Sequence, residues 1–353
     1  MSVTEVPVKG RVGLPGDVQA VVLNVTITQP QGAGFVTVYP CGGEPPNASN
    51  INYLPGRNVP NMVVSKVGAG SKVCLYTYAA AHLIVDVSGS LPEATFVPLG
   101  TPARLLDTRA GNDTVDGNYR GWGTQPWNGS LEMKVTGRGD IPADASAVVL
   151  NVTAVAPSGA GFVTVWPCGQ SQPIASNVNF RGPGAVVPNA VITQVGENGE
   201  VCIYNSTGMD LIADITGYAP ADALYQSITP IRLMDTRSNG ETFDDNYVGL
   251  SQVDDSDSGT ALQVTGRGEA DEGVPNGAVA VSVNVTVVGA SAPGYLTVWP
   301  CGTVRPASSN LNYGPGDTNA NLAMAGLNTS GQLCFYSLVP VDLVVDVAGY
   351  FGA

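Results

Sequence analysis

Apolar residues in this chain come in short runs broken by glycine, proline and asparagine, never in a helical stripe. Ala147-Val148-Val149-Leu150-Asn151-Val152-Thr153 is a mostly apolar run bounded by turn residues. Gly161-Phe162-Val163-Thr164-Val165-Trp166 alternates, as a strand with one buried face does. Val191 to Val195 and Glu200 to Tyr204 flank Gly196-Glu197-Asn198-Gly199 and read as a hairpin. No helix-length window keeps a 3.6-residue apolar period, so the pattern predicts an all-β chain.

The pattern occurs three times. Asn24-Val25-Thr26, Asn151-Val152-Thr153 and Asn284-Val285-Thr286 open corresponding blocks. Each continues into a Gly-x-x-Thr-Val-aromatic-Pro-Cys-Gly run, over 34–42, 161–169 and 294–302. Ser-Asn-x-Asn follows at 49–52, 176–179 and 309–312. A second cysteine sits in an apolar run, and an aliphatic strand holding one acid (Asp86, Asp214, Asp346) closes the block. One further strand, Arg-Leu-Leu/Met-Asp-Thr-Arg, occurs only at 104–109 and 232–237. The repeat therefore predicts three tandem antiparallel β-sandwich modules, Ig-like or jelly-roll, over 1–92, 93–220 and 221–353. The first lacks one strand. Truncation of a longer protein, or completion by a partner, would account for it.

Six cysteines fall two per repeat, 33 or 34 residues apart. An even count at repeated spacing implies the disulfides Cys41–Cys74, Cys168–Cys202 and Cys301–Cys334, one per module. Such bonds persist in an oxidising compartment. No Cys-x-x-Cys pair occurs and there is one histidine, so zinc binding is disfavoured.

Composition narrows the partners. The chain has 353 residues and a net charge of -14, with 15 Lys and Arg and no basic cluster, which excludes nucleic acid as a partner. No apolar run is long enough to insert in a bilayer as a helix. With 44% hydrophobic and 12% charged residues the chain folds rather than staying disordered.

Leu-Leu-Asp-Thr-Arg, Val-Thr-Gly-Arg-Gly, Val-Leu-Asn-Val-Thr, Thr-Val-Trp-Pro-Cys-Gly, Ser-Asn-x-Asn and Asp-Val-x-Gly-Tyr-Phe together resemble a repeat module of large secreted proteins from high-GC Gram-positive bacteria. Nearly the whole chain is covered. The resemblance implies secretion and an accessory role, and it brings no catalytic residue with it. The first repeat departs from the pattern in lacking Leu-Leu-Asp-Thr-Arg and in carrying Ser90 where the module has tyrosine.

Candidate chemistry is sparse. No Gly-x-Ser-x-Gly elbow or phosphate-binding glycine loop is present. Asp86, Asp107, Asp214, Asp235 and Asp346 recur at equivalent places in apolar strands. They are expected to be structural, paired with arginines such as Arg104, Arg109, Arg138 or Arg237, because a lone buried charge is costly. Tyr119, Trp122 and Trp127, in a long loop, are candidate glycan-stacking residues. Asp244, Asp245, Asp254, Asp255 and Asp257 form a carboxylate-rich stretch that would suit Ca²⁺, though without EF-hand spacing, and no cofactor is otherwise implied. The expectation is a non-enzymatic structural or adhesive protein, extracellular or at the cell surface. Its partners would be further copies of itself, other surface proteins or glycans, with assembly into a filament or array as one outcome. The alternative is a carbohydrate-binding accessory module of a secreted hydrolase.

Overall fold

The computed structural model describes residues 1–11, 14–16, 18–91, 95–268 and 273–352. Among these residues strand follows strand, with two single 3₁₀ turns. The first repeat supplies β1 (Ser2–Pro7), β2 (Ala20–Thr28), β3 (Gly34–Pro40), β4 (Ile51–Tyr53), β5 (Val59–Lys66), β6 (Lys72–Thr77) and β7 (His82–Leu91). The second supplies β8 (Val97–Asp107), β9 (Gly129–Lys134), β10 (Ala147–Val155), β11 (Gly161–Pro167), β12 (Val178–Phe180), β13 (Val186–Gln194), β14 (Glu200–Asn205) and β15 (Asp210–Ala219). The third supplies β16 (Tyr225–Asp235), β17 (Thr260–Gln263), β18 (Ala280–Val288), β19 (Gly294–Pro300), β20 (Leu311–Tyr313), β21 (Thr318–Gly326), β22 (Gln332–Ser337) and β23 (Asp342–Phe351). The repeat boundary expected at 92/93 lies outside the described residues.

These strands make six sheets, two from each repeat. The second repeat orders them β13-β10-β15-β8 and β12-β11-β14-β9, and the third repeat copies both orders as β21-β18-β23-β16 and β20-β19-β22-β17. The first gives β4-β3-β6-β1 and, among the described residues, only β5-β2-β7. Apart from the hairpins β3-β4, β11-β12 and β19-β20, successive strands of a repeat alternate between its two sheets, so neither sheet is a meander.

The expectation of three tandem β-sandwich modules is corrected by how the sheets close. They form one six-bladed β-propeller arrangement, each sheet facing the next around a common axis. The cause lies in β2, β10 and β18, which are buried along nearly their whole length on both faces. On β10, Val148, Leu150 and Val152 point into the core of their own repeat, whereas Ala147 and Val149 point to the axis. The axial core gathers Ala20, Val22, Met62 and Val64 with Ala147, Val149, Ala190 and Ile192 and with Leu322 and Met324. It belongs to no single repeat. A sheet apolar on both faces must be covered on both, and covering the second face three times over closes the ring.

Buried amides set the register of closure. Asn61 on β5 donates to Asn151 Oδ1 on β10 at 2.7 Å and accepts from the Ala190 N–H at 2.9 Å. Asn189 stands likewise to Asn284 (2.8 Å) and the Leu322 N–H (3.2 Å), and Asn321 to Asn24 (2.9 Å) and the Met62 N–H (3.1 Å). Each joint is the same, shifted by one repeat, so the last repeat grips the first.

Three disulfides, Cys41–Cys74, Cys168–Cys202 and Cys301–Cys334, tie neighbouring strands within a sheet. Gly68 and Gly196 lie against the Cys41 and Cys168 backbones, where a Cβ would come within 2.2 Å of the Cys41 N and 2.3 Å of the Cys168 N. Only glycine fits there. Three such bonds are those of a chain that matures in an oxidising compartment.

Candidate functional site

The recurring acids are drawn together with arginines at the joints. In β8 the pairing with β15 slips at Leu105, so that Arg104 lies opposite Asp214 and Leu106 opposite Ala213. In a regular strand positions three apart face opposite ways; this bulge brings Arg104 and Asp107 to one side. Arg104 Nε and Nη2 donate to Asp214 at 2.8 and 3.2 Å, and Nη1 donates to Asp107 at 3.1 Å. Arg109 closes on the other side of Asp107, at 2.9 and 2.7 Å. Asp214 Oδ2 also accepts the Ser49 N–H of the first repeat at 3.1 Å. Burial raises the Asp214 carboxyl, against the pull of Arg104 and of that N–H.

The third repeat copies the arrangement. Arg232 binds Asp346 at 2.7 and 3.2 Å, Arg237 binds Asp235 at 2.8 Å, and Asp346 accepts the Ser176 N–H at 3.1 Å. Asp107 and Asp235 are fully buried, and Asp214 and Asp346 almost so. Asp86 is the exception. It is half-buried, and among the described residues no cation or donor reaches its carboxyl, which burial alone raises.

A pocket of about 380 Å³ opens where all three repeats meet. Its walls are apolar (Leu54, Val59, Phe180, Val186, Leu311), and two arginines and an acid converge on it. The nearly buried Asp317 accepts from Arg57 at 3.3 Å and Arg181 at 2.7 Å through Oδ1, and from the Gly314 N–H at 2.6 Å through Oδ2. Three repeats each contribute one member of this clasp, which leaves one net positive charge in a chain that is acidic overall. Sequence reasoning missed Arg57, Arg181 and Asp317, because no charge recurs in the turns before β5, β13 and β21: Arg57 and Asp317 follow Pro-Gly at the same place with opposite sign, and Arg181 stands before the Gly-Pro-Gly of its turn.

The aromatic loop divides. Tyr119 is half-buried: Arg138 lies 4.6 Å over its ring, and its hydroxyl accepts the Lys134 N–H at 3.1 Å. Tyr247, with Arg267 at 4.8 Å and the Gln263 N–H at 3.1 Å, repeats that packing in the third repeat. Trp122 packs at 5.2 Å from Tyr119 and is 53% exposed; with Asn118, Arg120, Glu132 and Glu200 it lines a shallow depression. Trp127 stands outside that depression, 74% exposed.

The carboxylate-rich stretch does not assemble. Asp244 is held by Arg267 at 2.9 and 2.6 Å, the counterpart of Asp116 on Arg138. Asp254 accepts the Ser256 N–H, while Asp245, Asp255 and Asp257 point to solvent. Among the described residues no three acids, histidines or cysteines converge as a cation site.

No protein-family model matches the chain, and the search of curated proteins finds no match. Among solved structures, the STIV MCP is 7% identical, covering 72% of this chain and 96% of its own, with a TM-score of 0.28. The tandem CBM22-1–CBM22-2 domain of Paenibacillus barcinonensis Xyn10C is 11% identical, covering 73% and 93%, with a TM-score of 0.20. Likenesses this distant carry no argument about function.

Proposed function

We propose that the chain is a non-catalytic structural or adhesive protein, extracellular or at the cell surface. One observation carries this reading: the carboxylates that recur, and that would have to serve as acid and base, are spent on holding the repeats together. Asp107, Asp214, Asp235 and Asp346 are shut away from solvent and saturated by Arg104, Arg109, Arg232 and Arg237. A glycosidase needs two carboxyls that reach a sugar from a cleft. The disulfides and the resemblance to secreted repeat modules support the placement. The test pairs a panel of chromogenic glycosides with electron microscopy of native surface material. We expect no turnover, and rings or arrays on the surface. Turnover abolished by Asp214→Asn without a change in melting temperature would overturn the reading.

A second reading, glycan binding, is favoured by the axial pocket, whose arginines and apolar walls suit an acidic sugar, and by the exposed indoles of Trp122 and Trp127. A glycan array with the Arg57→Ala, Trp122→Ala and Trp127→Ala chains separates the two. Binding lost in a variant supports the second reading, and an empty array removes it.

A further inference from the structure

The three repeats share one plan, so any place where one departs from the other two shows what it lacks. In the second and third repeats the closing strands β15 and β23 have a neighbour on each side: β10 and β8, and β18 and β16. In the first, β7 pairs with β2 alone among the described residues. Among those residues no strand takes the backbone N–H and C=O groups of its other edge.

The side chains carry the same mark. Register against β2, β10 and β18 makes Ile84, Ile212 and Val344 equivalent. Ile84 is 49% exposed, and Val344 and Ile212 are 3% and 4% exposed. Leu83, Val85 and Val87 are only partly buried, whereas Leu211, Ala213 and Ile215 are fully so. Asp86 faces Asn24 across the sheet as Asp214 faces Asn151 and Asp346 faces Asn284, yet it alone of the three lacks an arginine. The siblings also show what fills the place: a strand with arginine opposite the acid, followed by two apolar residues, both fully buried (Leu105 and Leu106, Leu233 and Met234).

We propose that the open edge of β7 is a docking site for a β-strand donated by a separate polypeptide, antiparallel to β7, with an arginine set against Asp86 and two apolar side chains after it. The occupant is defined by chemistry that this chain displays twice. Backbone pairing supplies part of the affinity, the arginine fixes the register, and the apolar pair covers Val85 and Val87. A second copy of the chain is a poor donor, because its own strands of this type, β8 and β16, are already paired within their sheets. The inference is independent of the surface role proposed above, since it concerns an edge and a register rather than a location.

The test uses the full chain and a synthetic peptide with the sequence of residues 97–109. Binding is read by fluorescence anisotropy and by hydrogen exchange at the β7 amides. We expect saturable binding, slowed exchange confined to β7 and its neighbours, and at least tenfold weaker binding by the peptide bearing Arg104→Leu. Asp86→Asn in the chain should weaken the parent peptide and leave the Arg104→Leu peptide unaffected. As Asp86 has no partner to lose among the described residues, this variant should fold. Absence of exchange protection at millimolar peptide would overturn the proposal. So would equal binding of the two peptides, or a concentration-dependent dimer that protects β7 without any peptide.

Discussion

Replacing Arg104 by leucine should be among the most damaging single changes in this chain. The guanidinium is almost wholly buried and holds two carboxylates, Asp214 at 2.8 Å and Asp107 at 3.1 Å. Removing one member of a buried pair strands the other, at a cost of about 3–5 kcal/mol. Asp107 keeps Arg109, so the stranded charge is that of Asp214. Asp214→Leu strands Arg104 in turn and should cost about the same, with part of the charge retained by Asp107. The double variant removes both charges and leaves mainly the Ser49 N–H unpaired, worth about 1–3 kcal/mol. The two singles thus sum to about 6–10 kcal/mol while the double costs about a quarter of that, a coupling far outside additivity. At about 2–4 °C per kcal/mol, each single should lower the melting temperature by roughly 10 °C in calorimetry. The loss also depends on pH in a definite direction. Burial already raises the Asp214 carboxyl, and deleting Arg104 raises it further, so acid neutralises the stranded charge. The deficit of Arg104→Leu should therefore shrink as pH falls from 8 to 5. Singles that each cost under 1 kcal/mol, or a double equal to their sum, would refute the account of the joint.

Three further outcomes follow from the same geometry. Replacing Cys168 and Cys202 by serine opens a loop of 34 residues and should cost about 4 kcal/mol on the chain-entropy account, measured by denaturant titration with and without reductant. Asp86→Asn should raise the melting temperature at pH 7. A carboxyl whose folded value is raised contributes stability below its unfolded value and loses it as pH rises, so the advantage of the amide should vanish below about pH 4. Asn189→Ala removes donors to Asn177 and Asn284 and an acceptor for the Leu322 N–H, and should cost about 2–4 kcal/mol, with faster hydrogen exchange at β21 as the readout.

The strands were legible because turn residues bracket every apolar run, and the sulfur pairs because their spacing recurs. Closure into six blades was not read, although its signal lay in plain view. Ala20 to Leu23 and Ala147 to Leu150 are apolar at consecutive positions, and a strand with one solvated face would alternate. Asn24, Asn151 and Asn284 interrupt those runs at one position, and a lone amide in an apolar face marks a place where another backbone must come close. Asn61, Asn189 and Asn321 carry the same signal, obscured because turns of different sequence separate them from Ser-Asn-x-Asn. The partner of Asp214 was narrowed only to several nearby arginines, since choosing among them requires the bulge at Leu105, which no spacing rule encodes. The axial clasp was beyond reach altogether: Arg57, Arg181 and Asp317 meet only because the ring closes.

Closure separates the roles of apolar and polar groups at the joints. The axial core supplies the driving force, since burying Met62, Ile192, Leu322 and their neighbours removes large apolar surface from water, but such contact is non-directional and would tolerate sliding. The amides answer the sliding. Asn24, Asn61, Asn151, Asn189, Asn284 and Asn321 each bond across a joint, so that a slip of one residue would leave buried donors and acceptors unmet. The joints are not equal in their charges. The first two carry an Asp–Arg pair whose carboxylate also grips the preceding repeat through Ser49 or Ser176, whereas the third, where the last repeat meets the first, has Asp86 with no arginine. What crosses there instead is Arg57 to Asp317, with the arginine mostly exposed, and an ion pair so placed contributes at most about 1 kcal/mol. The joint that closes the ring thus rests on amides and apolar contact, and it is the joint beside the open edge of β7. A strand seated there with its arginine on Asp86 would give the third joint the charge pair that the other two already have.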